Sequence, residues 1–322
     1  PVLMETGAIL IVDSTHVRAH GTMVSESHGL FALDAEAGLD IDSHQDLVVA
    51  RSKLERGLIV FRLTANTQVG SGHLYHSLLL AELLDHHCIW FVLKDCEEFA
   101  FRQIDRAGYR YIVEDENIGT QLDLISDEMD IAEKIVINDV LDTNEADLLA
   151  ERARGYKVVC VEDLGAGLRF ADWVINALYR VEDTVAPVSC GPRWSPLRSE
   201  FRVCGPRAVR SRPERILLMF GGTDPNHLTS SLGRALREAA LGVEISVLLG
   251  PGAASPDLPS DVVILPTTTS VARALRDADI ALTSAGRSVY EAAALGTPVV
   301  VIAQNAREAT HSHLSLENGV VF

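Results

Sequence analysis

Leu58-Ile59-Val60-Phe61, then Val69-Gly70-Ser71-Gly72-His73, then the long amphipathic run from Leu74 to Leu84 decide how the chain is read. The order predicts strand, glycine turn and helix, with a histidine at the helix start. Gly70 and Gly72 allow positive φ and close approach of a ligand. The first N–H groups of a helix lack intrahelical partners, and the dipole is positive there, so the turn suits a phosphate or a developing negative charge. The same field favours the neutral imidazole of His73, the form a general base needs. On this short motif alone, a tight βα turn with an exposed histidine is the simpler reading, and the rest of the chain changes that.

Outward from that turn the alternation continues. Strands are predicted at 88–93, 109–113, 134–139, 158–163 and 171–176, with helices at 99–107, 121–133 and 144–154 between them. This is the pattern of a parallel doubly wound sheet, whose ligands bind at the carboxyl ends of strands. His73, Asp139, Asp163 and Asn176 all fall at such ends. Asp163 is expected to cap the helix that follows it. Residues 191–201 are expected to form a structured loop, and residues 210–215 a linker.

Beyond the linker the logic repeats. The strand Arg215–Phe220 meets Gly221-Gly222-Thr223-Asp224-Pro225 and a helix at 227–240. Strands follow at 243–249, 262–265, 279–283 and 299–303, with helices at 270–276 and 288–295. Ser284-Ala285-Gly286-Arg287-Ser288 makes a second small-residue turn. Phosphate would sit on the helix start near Ser284 and Gly286, and Glu291 would accept the ribose hydroxyls. The plainer alternative is an ordinary βα turn with Glu291 facing solvent.

The first 55 residues differ in character. A strand is expected at 7–12 and a loop at 13–38, and a helix capped by Ser43 or Asp42 begins near residue 44. Asp40 and Asp42 alternate with Ile41, so an extended chain points both carboxylates one way, as a Mg²⁺ site requires. A capping and turn cluster has the same spacing.

Bulk properties narrow the function classes. The 322 residues are 47% hydrophobic, enough for two α/β cores, and the formal net charge is -17. That charge argues against a nucleic-acid partner, which calls for a basic surface. The five cysteines form no CxxC pair and are expected as thiols in a reducing compartment. No apolar run approaches the roughly 20 residues of a membrane span, and the first residues lack a basic stretch followed by an apolar one, so no signal peptide is expected. The expected location is the cytoplasm. Both ends are expected to be cuts, because an α/β pattern is interrupted at each.

Two resemblances sharpen this. TGAILI followed by LDIDSHQDLVVA resembles the C-terminal end of the acylneuraminate (CMP-sialic acid) cytidylyltransferases. It implies that Asp40 and Asp42 hold the catalytic Mg²⁺ once the rest of a nucleotidyltransferase domain is present. VGSGH, INDVLDTN, VEDLG, GPRWSPLRSEF, FGGTDPNHLT, SAGRSVYEAAALGTP and IAQNARE, in that order, resemble PseG, the UDP-sugar hydrolase of pseudaminic-acid biosynthesis. They also resemble its spore-coat-polysaccharide relatives within the GT-B glycosyltransferase superfamily.

The second resemblance implies a UDP-sugar substrate held between two Rossmann-like domains, and hydrolysis that needs no cofactor. His73 would be the general base. Asn305 and Asp139, with Gly70 and Gly72, would contact substrate, and Gly221, Gly222, Ser284, Gly286 and Glu291 would hold the nucleotide. Two positions depart from the family. Asp139-Val140-Leu141-Asp142 replaces its Asp-His-Tyr-Gly run, and His76 stands in place of an arginine.

The expected architecture is therefore α/β with two Rossmann-like doubly wound domains of GT-B type. Residues 1–55 are a cytidylyltransferase-like tail, 56–210 the first Rossmann-like domain, and 211–322 a truncated nucleotide-binding one. The expected activity is UDP-sugar hydrolysis in nonulosonic-acid synthesis, within a bifunctional protein. A GT-B glycosyltransferase and a non-catalytic nucleotide-sugar-binding half of a CMP-sugar synthetase remain open. So does a homodimer.

Overall fold

The computed structural model describes residues 10–24, 27–29, 31, 40–54, 56–115, 117–128, 131–181, 185–205, 210–239, 242–266 and 269–312. The chain divides into two compact units, residues 1–56 and 57–322.

The described part of the first unit contains two helices, α1 (Ser14–His20) and α2 (His44–Leu54). The stretch from 13 to 38 is thus not all loop. Asp13 accepts the Thr15 N–H to start α1, and Gly21 ends it in the left-handed region. Ser43 starts α2 by a reciprocal pair. Its Oγ accepts the Asp46 N–H at 3.2 Å, while Asp46 Oδ2 accepts from the Ser43 N–H at 2.7 Å. Residues 10–12 are not in a strand, and the rest of the strand expected at 7–12 lies outside the described residues.

The second unit carries two parallel sheets. The first is built from β1 (Leu58–Leu63), α3 (Gly72–Leu83), β2 (Cys88–Leu93), α4 (Glu98–Ala107), β3 (Arg110–Val113) and α5 (Ile118–Asp127). Then come β4 (Lys134–Asp139), α6 (Glu145–Ala153), β5 (Lys157–Val161), β6 (Trp173–Asn176) and β7 (Val188–Cys190). The short helix α7 (Ser199–Cys204) leads to the second sheet: β8 (Arg215–Met219), α8 (Leu228–Glu238), β9 (Glu244–Val247), β10 (Val263–Ile264), α9 (Val271–Asp277), β11 (Ile280–Thr283), α10 (Ser288–Leu295) and β12 (Val299–Val301).

The strand orders are β3-β2-β1-β4-β5-β6-β7 and β10-β9-β8-β11-β12, with every pairing parallel. Both orders reverse direction at one point, between β1 and β4 and between β8 and β11. Ligands of such sheets bind at that switch point.

Both faces of the first sheet are buried, which explains why its strands are continuous apolar runs. Leu58 and Val60 join one core with Ile118, Leu122 and Leu148, whereas Ile59, Phe61 and Leu63 join another with Leu74 and Ile104. The alternation is the strand's own two-residue period. The second sheet has a core on each face in the same way.

Three local expectations are corrected. The helix placed at 121–133 is α5 and ends at Asp127, with Asn117 accepting the Thr120 N–H as its cap. The loop placed at 191–201 includes the start of α7, and β7 precedes it. Asp163 caps no helix. Its Oδ1 accepts the N–H groups of Thr143 (3.0 Å) and Gly165 (2.6 Å), so it ties the end of β5 to the loop after β4.

That tie is tight. A β-carbon on Gly165 would fall onto the backbone N and O of Thr143. Gly165→Ala is expected to cost about 2–3 kcal/mol by overpacking. Urea unfolding measures it, and an unchanged midpoint would show that the loop yields freely.

One side chain breaks the apolar pattern of β1. Arg62 is 1% exposed. It donates to both oxygens of Glu114 (2.6 and 2.5 Å) and to Asp147 Oδ2 (2.7 Å). A third carboxylate, Glu151, accepts from Asn138 Nδ2 at 2.9 Å, and its Oε1 lies 3.8 Å from Arg62.

Burial and the neighbouring acids push the Glu151 carboxyl up to about 8, against the pull of Asn138 and Arg62. A raised folded-state value means that this group's stabilisation is full below its unfolded value of 4.5 and is lost as pH rises through about 8. Glu151→Gln removes that loss. The melting temperature of the variant, relative to the parent, is expected to climb between pH 5 and 8 and then level. A difference independent of pH would show that Glu151 is ionised in the fold.

Candidate functional site

The two strands that flank the switch point of the first sheet each deliver a chemical group. The turn after β1 leads into α3 and its His73, and β4 ends on Asp139. Register places Asp139 beside Leu63, the last residue of β1. Gly70 takes φ +88 in the turn, a backbone shape that favours glycine. Gly72 does not need positive φ; it is the first residue of α3.

Asp139 is fully buried and bonds two imidazoles and a hydroxyl. His73 Nδ1 lies 2.6 Å from Oδ1, His76 Nδ1 2.7 Å from Oδ2, and Ser77 Oγ donates to Oδ2 at 3.0 Å. Positions 73, 76 and 77 share one face of α3, as i, i+3 and i+4 must. Burial alone would raise the Asp139 carboxyl, but the His76 and His73 rings outweigh it and hold it far below the usual carboxylate range. Burial, with Arg287 nearby, pushes His76 below its ordinary value against the attraction of Asp139.

An ionised carboxylate only accepts, so each Nδ1 carries a proton, and a ring in its neutral form has its lone pair on Nε2. No described residue bonds His73 Nε2, and 9% of the His73 side chain remains exposed. An imidazole fixed by a carboxylate at Nδ1 with a free Nε2 is the arrangement of a general base.

The second sheet brings its own switch-point turns to this place. Gly221 follows β8 with φ +74. A β-carbon on Gly222 would fall onto Ser71 Oγ, one on Gly70 would lie 3.9 Å from Thr223 Oγ1, and one on Gly221 would lie 3.4 Å from Ser284 Oγ. Gly70, Gly221, Gly222 and Ser284 are thereby gathered around the start of α3. Arg287, which follows Gly286, donates from Nη1 to the Gly72 carbonyl at 2.9 Å.

Further bonds join the two halves of this unit. Arg307 donates to Tyr179 Oη (3.0 Å), Asp142 (2.6 Å) and the Leu141 carbonyl (2.5 Å), and Tyr290 Oη donates to the Ala177 carbonyl (2.6 Å).

Glu291 and Asn305 are engaged elsewhere. Glu291 Oε1 accepts from Arg198 Nε (3.1 Å) and Nη2 (2.7 Å), while its Oε2 takes no hydrogen bond from a described residue. Asn305 is exposed, and its Oδ1 accepts the Glu308 N–H at 2.8 Å. In the first unit Asp40 and Asp42 are exposed. Among the described residues no group of three His, Cys, Asp or Glu side chains is arranged to hold a metal ion.

Ser77 escaped the sequence reading, and His76 entered it only as a departure from a family arginine, not as a partner of Asp139. The signal was present: His-x-x-His-Ser on one helical face, opposite a strand ending in Asp. Arg287 and Arg307, which cross between the sheets, escaped it too.

No protein-family model matches the chain. An uncharacterized protein of Methanocaldococcus jannaschii is 27% identical over 268 residues, covering 74% of this chain and 54% of that protein. The chain thus spans about half the length of this curated relative. Among solved structures, CalG4, the calicheamicin glycosyltransferase, superposes with a TM-score of 0.50 at 17% identity, over 82% of this chain and 84% of its own. The fold is GT-B. UDP-GlcNAc 2-epimerase from Neisseria meningitidis bound to UDP-GlcNAc scores 0.46 at 15% identity, over 78% and 83% of the two chains. In this GT-B fold the two Rossmann-like sheets meet at their switch points, with His73 and Asp139 on one side and the glycine turns of the second sheet on the other. No helix among the described residues is long and apolar enough to cross a membrane.

Proposed function

We propose that the second unit hydrolyses a UDP-sugar, with His73 as general base and no cofactor. The observation that carries the proposal is the 2.6 Å bond from His73 Nδ1 to Asp139 Oδ1, made where the glycine turn of the second sheet closes on the first.

Water bonded to His73 Nε2 attacks the anomeric carbon as Nε2 takes its proton. The bond between that carbon and the diphosphate oxygen breaks, and UDP leaves with the electron pair. Asp139 stabilises the imidazolium that forms, worth more in a dry site than in water. Backbone N–H groups near Gly221, Gly222, Ser284 and Gly286 take up charge on the departing diphosphate.

The enzymes of this fold named above, a glycosyltransferase and a UDP-sugar epimerase, support a sugar-nucleotide ligand. The ordered motifs support hydrolysis over transfer. Incubation of the 322-residue chain with a panel of UDP-2,4-diamino sugars tests the reading. UDP release without an added acceptor is expected. Release only when an acceptor is supplied would make the chain a glycosyltransferase, and UDP binding with no turnover would leave it a binding half.

The resemblance at residues 6–11 and 39–50 leads us to infer that the whole protein also activates a nonulosonic acid as its CMP-sugar, with Asp40 and Asp42 holding Mg²⁺. A longer form that transfers no cytidylyl group would refute this.

A further inference from the structure

Arg287 is oddly placed for a residue of the second sheet. It precedes α10, yet its Nη1 bonds the carbonyl of Gly72, the peptide next to His73. Its Nη2 lies 3.7 Å from Glu162 Oε1, beyond hydrogen-bond range. Glu162 spends its oxygens on the N–H groups of Ala177 (3.2 Å) and Leu178 (2.9 Å). Nε and Nη2 of Arg287 are both buried, and no described residue bonds either one.

The neighbouring strand ends show the same property. Thr283 Oγ1, on the last residue of β11, and Gln304 Oε1, shortly after β12, are likewise buried without a hydrogen-bond partner. Each unmet buried polar group costs about 1–3 kcal/mol, and native structures keep few of them. Three side chains on one edge of one sheet share this cost. A guanidinium offers its donors in a planar fork that matches two oxygens of a phosphate.

We propose that Arg287 is the anion-binding side chain of the cleft, gripping the diphosphate of a nucleoside diphosphate sugar with Nε and Nη2 while Nη1 holds the Gly72 carbonyl. This rests on the reading of the cleft as a sugar-nucleotide site. It adds a selectivity and a coupling. The site takes diphosphates in preference to monophosphates, and a filled diphosphate seat bears directly on the turn that carries His73. A bidentate grip with one arm on the backbone also explains why arginine serves here and lysine, a single point charge, would not.

The test is calorimetric titration of the full chain with pyrophosphate, UDP and UMP in metal-free buffer. The parent is expected to bind UDP and pyrophosphate and to prefer UDP to UMP. Arg287→Met is expected to weaken UDP and pyrophosphate binding roughly 10- to 100-fold and UMP binding far less, so that the preference collapses. Arg287→Gln retains a donor for the Gly72 carbonyl and is read in the same way if the methionine variant does not fold. Undiminished UDP binding in the folded variant would overturn the seat and leave hydrolysis standing. A parent that binds pyrophosphate through Arg287 but releases no UDP would sink hydrolysis and leave the seat standing. A parent that binds neither UDP nor pyrophosphate would overturn the seat.

Discussion

Replacing His73 with alanine is expected to lower kcat for UDP release about 10²- to 10⁴-fold while UDP affinity changes by less than about 3-fold. In the proposed reaction the ring acts on the attacking water, not on the nucleotide, so its loss should appear in the chemical step alone. Asp139→Asn should lower kcat by a similar factor. An asparagine keeps the shape but can present an N–H to His73 Nδ1, which favours the tautomer with its proton on Nε2 and removes the lone pair that the water needs. Asp139 also carries His76 and Ser77 at 2.7 and 3.0 Å, so this variant should lose stability as well. Comparing kcat in the two variants separates the effects. Equal losses of kcat and UDP affinity in His73→Ala would count against the base role.

The second large effect is on stability. Arg62→Met is expected to destabilise the second unit by about 3–5 kcal/mol, because it strands buried carboxylates without their cation. For a unit of this size that corresponds to a drop in melting temperature of about 10 °C. Glu114 and Asp147 are 6% and 15% exposed at their side chains, so water relieves them little. Lys94 stands 3.8 Å from Glu114 but is 38% exposed, too well hydrated to substitute. Thermal melting followed by circular dichroism measures the effect. A fall of less than about 2 °C would show that the acids take up protons at small cost.

The alternation of strand and helix was readable because apolar runs and glycine turns are local signals. The place of Asp139 at the carboxyl end of its strand was readable because that strand is a short apolar run ending in an acid. What could not be read was pairing across the chain. Nothing near Arg62 announces that Glu114, 52 residues on, and Asp147, 85 residues on, converge upon it. Asp139 was placed at the correct strand end, but its bonds to His73 and His76 depend on the β1–β4 register. Glu291 fitted a ribose acceptor by spacing, yet Arg198, 93 residues away, holds one of its oxygens. α1 was hidden because Thr15, His16 and Arg18 lack an apolar period; its caps, Asp13 and Gly21, were the available clue. Unequal spacing hid β7 too, since it follows β6 without an intervening long helix.

In the proposed reaction a water activated by His73 attacks the sugar carbon. The most direct measurement is turnover of a UDP-2,4-diamino sugar in ¹⁸O-water, with no acceptor added, followed by mass analysis of the released UDP. Cleavage at the carbon leaves the bridging oxygen on the diphosphate, so UDP free of solvent label is expected, with a rate that collapses in His73→Ala. UDP carrying ¹⁸O, or release that persists without His73, would contradict it.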